Sequence, residues 1–120
     1  MAKILIVDDE HLTIEMLSTF LQIIGHQTVA ALSGRQTWER LSHESPDLIL
    51  LDIMLPDDNG LEICRKLRAQ EATRLLPIIM ISAYSPALTK EATAAGATGY
   101  LSKPIKLDVL KAAIARSGVR

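Results

Sequence analysis

Lys3-Ile4-Leu5-Ile6-Val7-Asp8-Asp9-Glu10 sets an unbroken apolar run directly against three consecutive acids. A strand with one wet face alternates apolar and polar residues; this run does not, so both of its faces are covered, as in a central strand of a parallel sheet. Leu48-Ile49-Leu50-Leu51, followed by Asp52, has the same character. Working outward, the apolar runs Lys3 to Val7, Gln27 to Leu32, Asp47 to Leu51, Pro77 to Ile81 and Gly99 to Leu101 read as strands. Between and after them, 11 to 24, 34 to 44, 60 to 71, 86 to 96 and 106 to 117 return apolar residues every three or four positions and read as helices. In the first, Leu12, Met16, Leu17, Phe20, Leu21 and Ile24 form a broad apolar face. Strict alternation of strand and helix with right-handed crossovers gives an α/β fold: a three-layer, doubly wound, five-stranded parallel sheet of (βα)5 type.

The chain has 120 residues, which suits one domain over 1–120 and is too short for two. Hydrophobic residues make up 48% and aromatics only 3%, so the core is expected to be aliphatic. A net charge of -1 gives no electrostatic reason to expect nucleic acid or an anionic membrane as a direct ligand. No apolar run approaches the roughly 20 residues that span a bilayer, and no export signal opens the chain. With Cys64 the sole cysteine, a soluble cytoplasmic protein is expected. Cys64 itself reads as a buried helix residue, Trp38 as partly buried on the second helix, and His11 as exposed.

In such a sheet the functional crevice lies outside the carboxyl ends of the strands. The first strand ends at Asp8-Asp9-Glu10, the third at Asp52, the fourth at Ser82-Ala83, and the fifth at Ser102-Lys103-Pro104. If the order reverses at strand one, Asp8, Asp9 and Asp52 meet, and carboxylates sharing one small site repel unless a cation lies between them. Oxygen-only ligands favour magnesium, or manganese in its place, over zinc. Each residue has an ordinary alternative: Asp8 or Asp9 as a helix cap, Asp52 as a turn former, Ser82 as a strand-end hydroxyl, Lys103 as a solvated side chain. Pro104 suits the start of the last helix. Their coincidence at one rim of the sheet favours the joint functional reading.

The chain resembles the receiver domains of two-component response regulators. The likeness rests on Ile6-Val7-Asp8-Asp9-Glu10, on Leu50-Leu51-Asp52-Ile53-Met54-Leu55-Pro56 with Gly60 following, on Ile79-Met80-Ile81-Ser82-Ala83, and on Gly99-Tyr100-Leu101-Ser102-Lys103-Pro104. It implies strand order 2-1-3-4-5, with Asp52 as phosphoacceptor and Asp8, Asp9, Asp52 and the backbone carbonyl of Met54 around Mg2+. Ser82, Ala83 and Lys103 would bind the phosphoryl oxygens, and Tyr100 would change rotamer with the switch. Pro104 would be a candidate for a cis peptide. Met54 and Tyr84, two residues beyond Asp52 and Ser82, match positions that tune dephosphorylation; neither suits orienting a water, so a slowly hydrolysing phosphoaspartate is expected.

The implied donor is a sensor histidine kinase or a histidine phosphotransfer protein. The implied output is a downstream protein or self-dimer through the fourth helix, fifth strand and fifth helix. The fourth helix, rich in alanine, has few bulky anchors and suits movement. No DNA-binding or enzymatic output segment, and no membrane contact, is expected in this chain, which reads as a switch rather than an enzyme with external turnover. Two other readings use the same fold. A flavin binder would want a glycine- or hydroxyl-rich loop after strand one, where Asp8 to Leu12 has no glycine. An aspartate-nucleophile phosphatase would use acids at 8 and 10, and turnover of a small phosphate ester would favour it. A receiver-like interaction domain that accepts no phosphate is the remaining alternative.

Overall fold

Among the described residues, 2–119 of the computed structural model, strands and helices alternate: β1 (Lys3–Val7), α1 (His11–Ile23), β2 (Gln27–Ala31), α2 (Gly34–His43), β3 (Leu48–Asp52), α3 (Gly60–Ala69), β4 (Ile78–Ser82), α4 (Thr89–Ala95), β5 (Gly99–Ser102) and α5 (Leu107–Arg116). All strand pairs are parallel and the sheet order is β2-β1-β3-β4-β5. This is the flavodoxin-like α/β arrangement, with the order reversing at β1.

The period of two along a strand sorts each central strand between two cores. Leu5, Val7, Ile49, Leu51, Ile78 and Met80 join Leu61, Ile63, Cys64 and Leu67 of α3 and Ala92 and Ala95 of α4. Ile4, Ile6, Leu48, Leu50, Ile79 and Ile81 face the other way, onto Leu17 and Leu21 of α1 and Leu110, Ala113 and Ile114 of α5. Every residue of β3 and β4 is buried, as unalternating apolar runs require. Each such Leu or Ile side chain contributes about 1.5–3 kcal/mol by its burial. Trp38 is half-buried against the first core, Cys64 is fully buried, and His11 is exposed. No helix among the described residues is long and apolar enough to cross a membrane.

Several sequence-based boundaries move. β3, β4 and β5 each extend one residue further, to Asp52, Ser82 and Ser102, because Asp52 pairs with Ile81 and Ser82 with Ser102 in the ladder. The fourth helix begins at Thr89, not at 86: the Ser85–Pro86 peptide is cis, and Leu88 occupies the cap position. Pro104 does not start the last helix, which begins at Leu107 after Lys106; the Lys103–Pro104 peptide is cis. The apolar face of α1 is wider than its core contact. Leu17 and Leu21 are buried, whereas Leu12 is 81% exposed and Met16 40%.

Candidate functional site

Val7 pairs with Leu51 in the β1·β3 ladder, so the next residues of the two strands, Asp8 and Asp52, emerge side by side at the carboxyl rim. β4 and β5 bring the remaining groups to that rim: Ser82 pairs with Ser102, and the Lys103 amide donates to the Ser82 carbonyl at 2.8 Å. The Lys103 ammonium then reaches back across the site. It lies 2.8 Å from Asp8 Oδ2, 3.0 Å from Asp52 Oδ2 and 3.0 Å from Glu10 Oε1.

The two inner carboxylates are otherwise held by backbone. Asp8 Oδ1 accepts from the Glu10 amide at 2.9 Å, and Asp52 Oδ1 accepts from the Met54 amide at 3.1 Å. Asp8 and Asp52 are buried; Asp9 is exposed, and one oxygen from each of the three lies within 4.8 Å of the others. Burial raises the Asp52 carboxyl above the ordinary range, and the neighbouring Asp8 charge adds to this, against hydrogen bonds from Lys103 and Met54 that favour ionisation. Burial works against the Lys103 ammonium, but its contacts with Asp8, Glu10 and Asp52 outweigh it and hold the lysine above its usual range.

Asp8 Oδ2 is buried and receives no aligned hydrogen bond; its contact with Lys103 is an ion pair outside hydrogen-bond alignment. A buried carboxylate oxygen without a directed donor, beside two other carboxylates, fits a hard divalent cation. All three donors are oxygens, which suits Mg2+.

The other sequence-selected residues surround this cluster. Ser82 is buried at the end of β4, its hydroxyl accepting from the Tyr84 amide at 3.0 Å. Met54 and Tyr84 are both exposed. Ala83, Lys103 and Pro104 line a groove of about 540 Å3 with Glu10, Leu12, Thr13, Met16 and Ile105. Tyr100 stands apart from the carboxylates on β5, half-buried, and its hydroxyl accepts from the amide of Leu88, the residue capping α4, at 3.0 Å.

Three long-range side-chain contacts escaped sequence reading. Glu10 is a third partner of Lys103 across 93 positions of sequence. Asp57, in the loop after Asp52, accepts from the Gly34 and Arg35 amides at 2.7 and 3.0 Å, which pins that loop to the start of α2. These bonds, Arg35 first, hold the Asp57 carboxyl below its usual range. Arg68 on α3 donates to the Gly96 carbonyl at 2.8 Å and so ties down the carboxyl end of α4. None of the three partners is local, so no spacing signals them.

Residues 4–115 match the family model described as the response regulator receiver domain. The chain belongs to this receiver family. The receiver is 38% identical over 120 residues to the phosphate regulon transcriptional regulatory protein PhoB of Pseudomonas aeruginosa, covering 96% of this chain and 52% of that protein. The chemotaxis response regulator CheY4 of Vibrio cholerae superposes with a TM-score of 0.90 at 32% identity over 98% of each chain. The receiver domain of sensor histidine kinase PA1611 from P. aeruginosa, with a magnesium ion coordinated in its active-site cleft, gives a TM-score of 0.84 at 28% identity over 98% of each chain. The receiver spans 54%, 7% and 42% of the length of three of the curated relatives it matches. It is a receiver domain of the two-component type.

Proposed function

We propose that this receiver takes a phosphoryl group onto Asp52 from the phosphohistidine of a sensor kinase or histidine phosphotransfer protein, and that the modification changes its α4-β5-α5 surface. The observation carrying the reading is the Lys103 ammonium, 3.0 Å from Asp52 and 2.8 Å from Asp8 in a buried acidic cluster. A lone ammonium does not offset three acids, and the buried Asp8 oxygen, ion-paired to Lys103 but without an aligned hydrogen bond, supports a divalent cation beside it. Asp8, Asp9, Asp52 and the Met54 backbone carbonyl would hold Mg2+, or Mn2+, and the magnesium in the PA1611 receiver supports this assignment. The bound ion would supply positive charge against the phosphoryl oxygens.

In the transfer, a carboxylate oxygen of Asp52 forms the new bond to phosphorus. The bond from phosphorus to the donor nitrogen, or to the acyl oxygen of acetyl phosphate, breaks, and the leaving group keeps the electron pair. Lys103 pairs with one phosphoryl oxygen and the Ser82 hydroxyl, turned from its bond with the Tyr84 amide, donates to another. The product carries about 1.5–2 negative charges where the carboxylate carried one. Movement of Ser82 and Ala83 frees space for Tyr100, whose rotation breaks its bond to the Leu88 amide and unpins the start of α4. α4 buries only Ala92 and Ala95, so little packing opposes its shift. The chain is thus a cytoplasmic switch that promotes its own phosphorylation and slow dephosphorylation, read out by a downstream protein or a second copy. A protein donor fits the apolar groove beside the site, where Leu12, Met16 and Ile105 adjoin Lys103.

Acetyl phosphate with Mg2+ is expected to add one phosphoryl mass to the chain, and chelation of the metal to prevent it. No mass gain at millimolar Mg2+ rejects the reading in favour of an interaction domain. Hydrolysis then sets the signal's duration. Met54 and Tyr84 offer no carboxylate or amide to orient an attacking water, so the phosphoaspartate is expected to be long-lived. Met54→Asn supplies such a group at an exposed position and is expected to shorten the lifetime in a single-turnover decay assay; an unchanged or longer lifetime counts against this assignment.

A further inference from the structure

Glu10 occupies the cap position of α1, yet its side chain does not cap the helix. It turns instead to Lys103, with Oε1 3.0 Å from Nζ, and accepts from the Thr13 hydroxyl at 3.3 Å. A lysine ammonium has three N–H donors. Glu10 and Asp52 each accept one of them at 3.0 Å and Asp8 adds an ion pair at 2.8 Å, so the charge of the resting ammonium is shared among three carboxylates before any phosphoryl oxygen arrives.

The three partners differ in freedom. Asp8 and Asp52 are buried and anchored to backbone amides, whereas the Glu10 side chain is 61% exposed and can swing into water. Once released, it stays near the positive end of α1, which eases the loss of the lysine. We infer that Glu10 is a positioning residue that holds Lys103 in reserve, so that surrender of the Glu10–Lys103 pair is a step of phosphoryl transfer and slows it. The inference rests on the phosphoacceptor reading of Asp52 and assigns a competitor to its lysine. Glu10 also lines the groove beside the site, so a protein donor seated there meets Glu10 together with Lys103.

The test compares initial rates of phosphoryl uptake from acetyl phosphate with Mg2+, followed by intact mass, for the chain as it stands, Glu10→Gln and Glu10→Asp. Glutamine removes the charge; aspartate keeps it but is one methylene too short to hold the same contact. An exposed ion pair of this kind corresponds to roughly a two- to fivefold effect, so both variants are expected to phosphorylate about two- to fivefold faster. General structural damage slows the reaction and so cannot imitate this gain. Faster uptake in Glu10→Gln with wild-type behaviour in Glu10→Asp means that the charge only repels the anionic donor, which overturns the lysine-reserve role. Unchanged or slower uptake in both variants also overturns it. If the unsubstituted chain takes up no phosphoryl group, the phosphoacceptor reading fails first and takes this inference with it.

Discussion

Asp52→Asn is expected to abolish phosphoryl uptake while leaving the fold intact or slightly more stable. The amide has nearly the shape of the carboxylate it replaces, and Asp52 is buried, so the cavity stays filled. An amide oxygen is not a competent nucleophile toward phosphorus, so the expected gain in mass after acetyl phosphate and Mg2+ falls below detection. The stability effect follows from the direction of the carboxyl's shift. Burial, aided by the Asp8 charge, raises Asp52 above the ordinary range, which means that folding disfavours its ionised form. Removing that charge relieves the repulsion. Lys103 keeps Asp8 and Glu10 as partners, so no buried cation is stranded. A thermal midpoint equal to or above that of the parent chain, together with no phosphoryl mass, is the expected pair of results. Residual uptake in Asp52→Asn would move the nucleophile to another carboxylate, and a large drop in midpoint would mean that the Lys103–Asp52 pair outweighs the cost of the buried charge.

The parts of this molecule that could be read before its structure are those governed by short-range pattern or by a general rule of topology. The unalternating runs Ile4 to Val7 and Leu48 to Leu51 name central parallel strands because both faces of such strands are covered, and both are buried throughout. Placement of Asp8, Asp52, Ser82 and Lys103 at one rim follows from the rule that parallel strands share a carboxyl edge. What escaped reading depends on distance in space. Glu10 looks like a helix-start acid; only the return of the chain at β5 shows that it grips Lys103. Asp57 looks like a turn residue until α2 is seen starting on it. Periodicity also overstates burial: it places Leu12 and Met16 on the core face of α1, but only Leu17 and Leu21 are fully buried there, with Ile14, Phe20 and Ile24 packed partly buried beside them. At Pro86 the helical pattern of the neighbouring residues says nothing of the backbone before the helix, so periodicity starts the fourth helix too early, whereas the cis peptide before Pro104 is the one that the family resemblance implies.

Gly60 is visible in the sequence as part of the loop after Asp52, but its physical reason is steric. Its φ is not in the left-handed region, so conformational freedom does not explain it. An added Cβ would lie 2.2 Å from the Asp52 carbonyl oxygen and 2.8 Å from the Ile53 Cα, both backbone atoms that cannot swing aside. The Gly60 amide also donates to the Ile53 carbonyl at 2.7 Å, so the start of α3 is drawn tightly onto the segment that presents Asp52. Gly60→Ala must push that segment or the helix away. The expected cost is at the upper end for overpacking, about 3 kcal/mol. That lowers the thermal midpoint by roughly 10 °C. The same displacement moves Asp52 relative to Lys103 and Asp8, so phosphoryl uptake falls even at temperatures where the variant is folded. Gly99→Ala is the control, because its added Cβ meets only Ile79 side-chain atoms at 3.6 Å or beyond, an ordinary contact. The Gly60 variant should therefore lose both stability and uptake where the Gly99 variant keeps them. Equal melting of Gly60→Ala and the parent would show that the β3–α3 junction has slack the backbone distances deny.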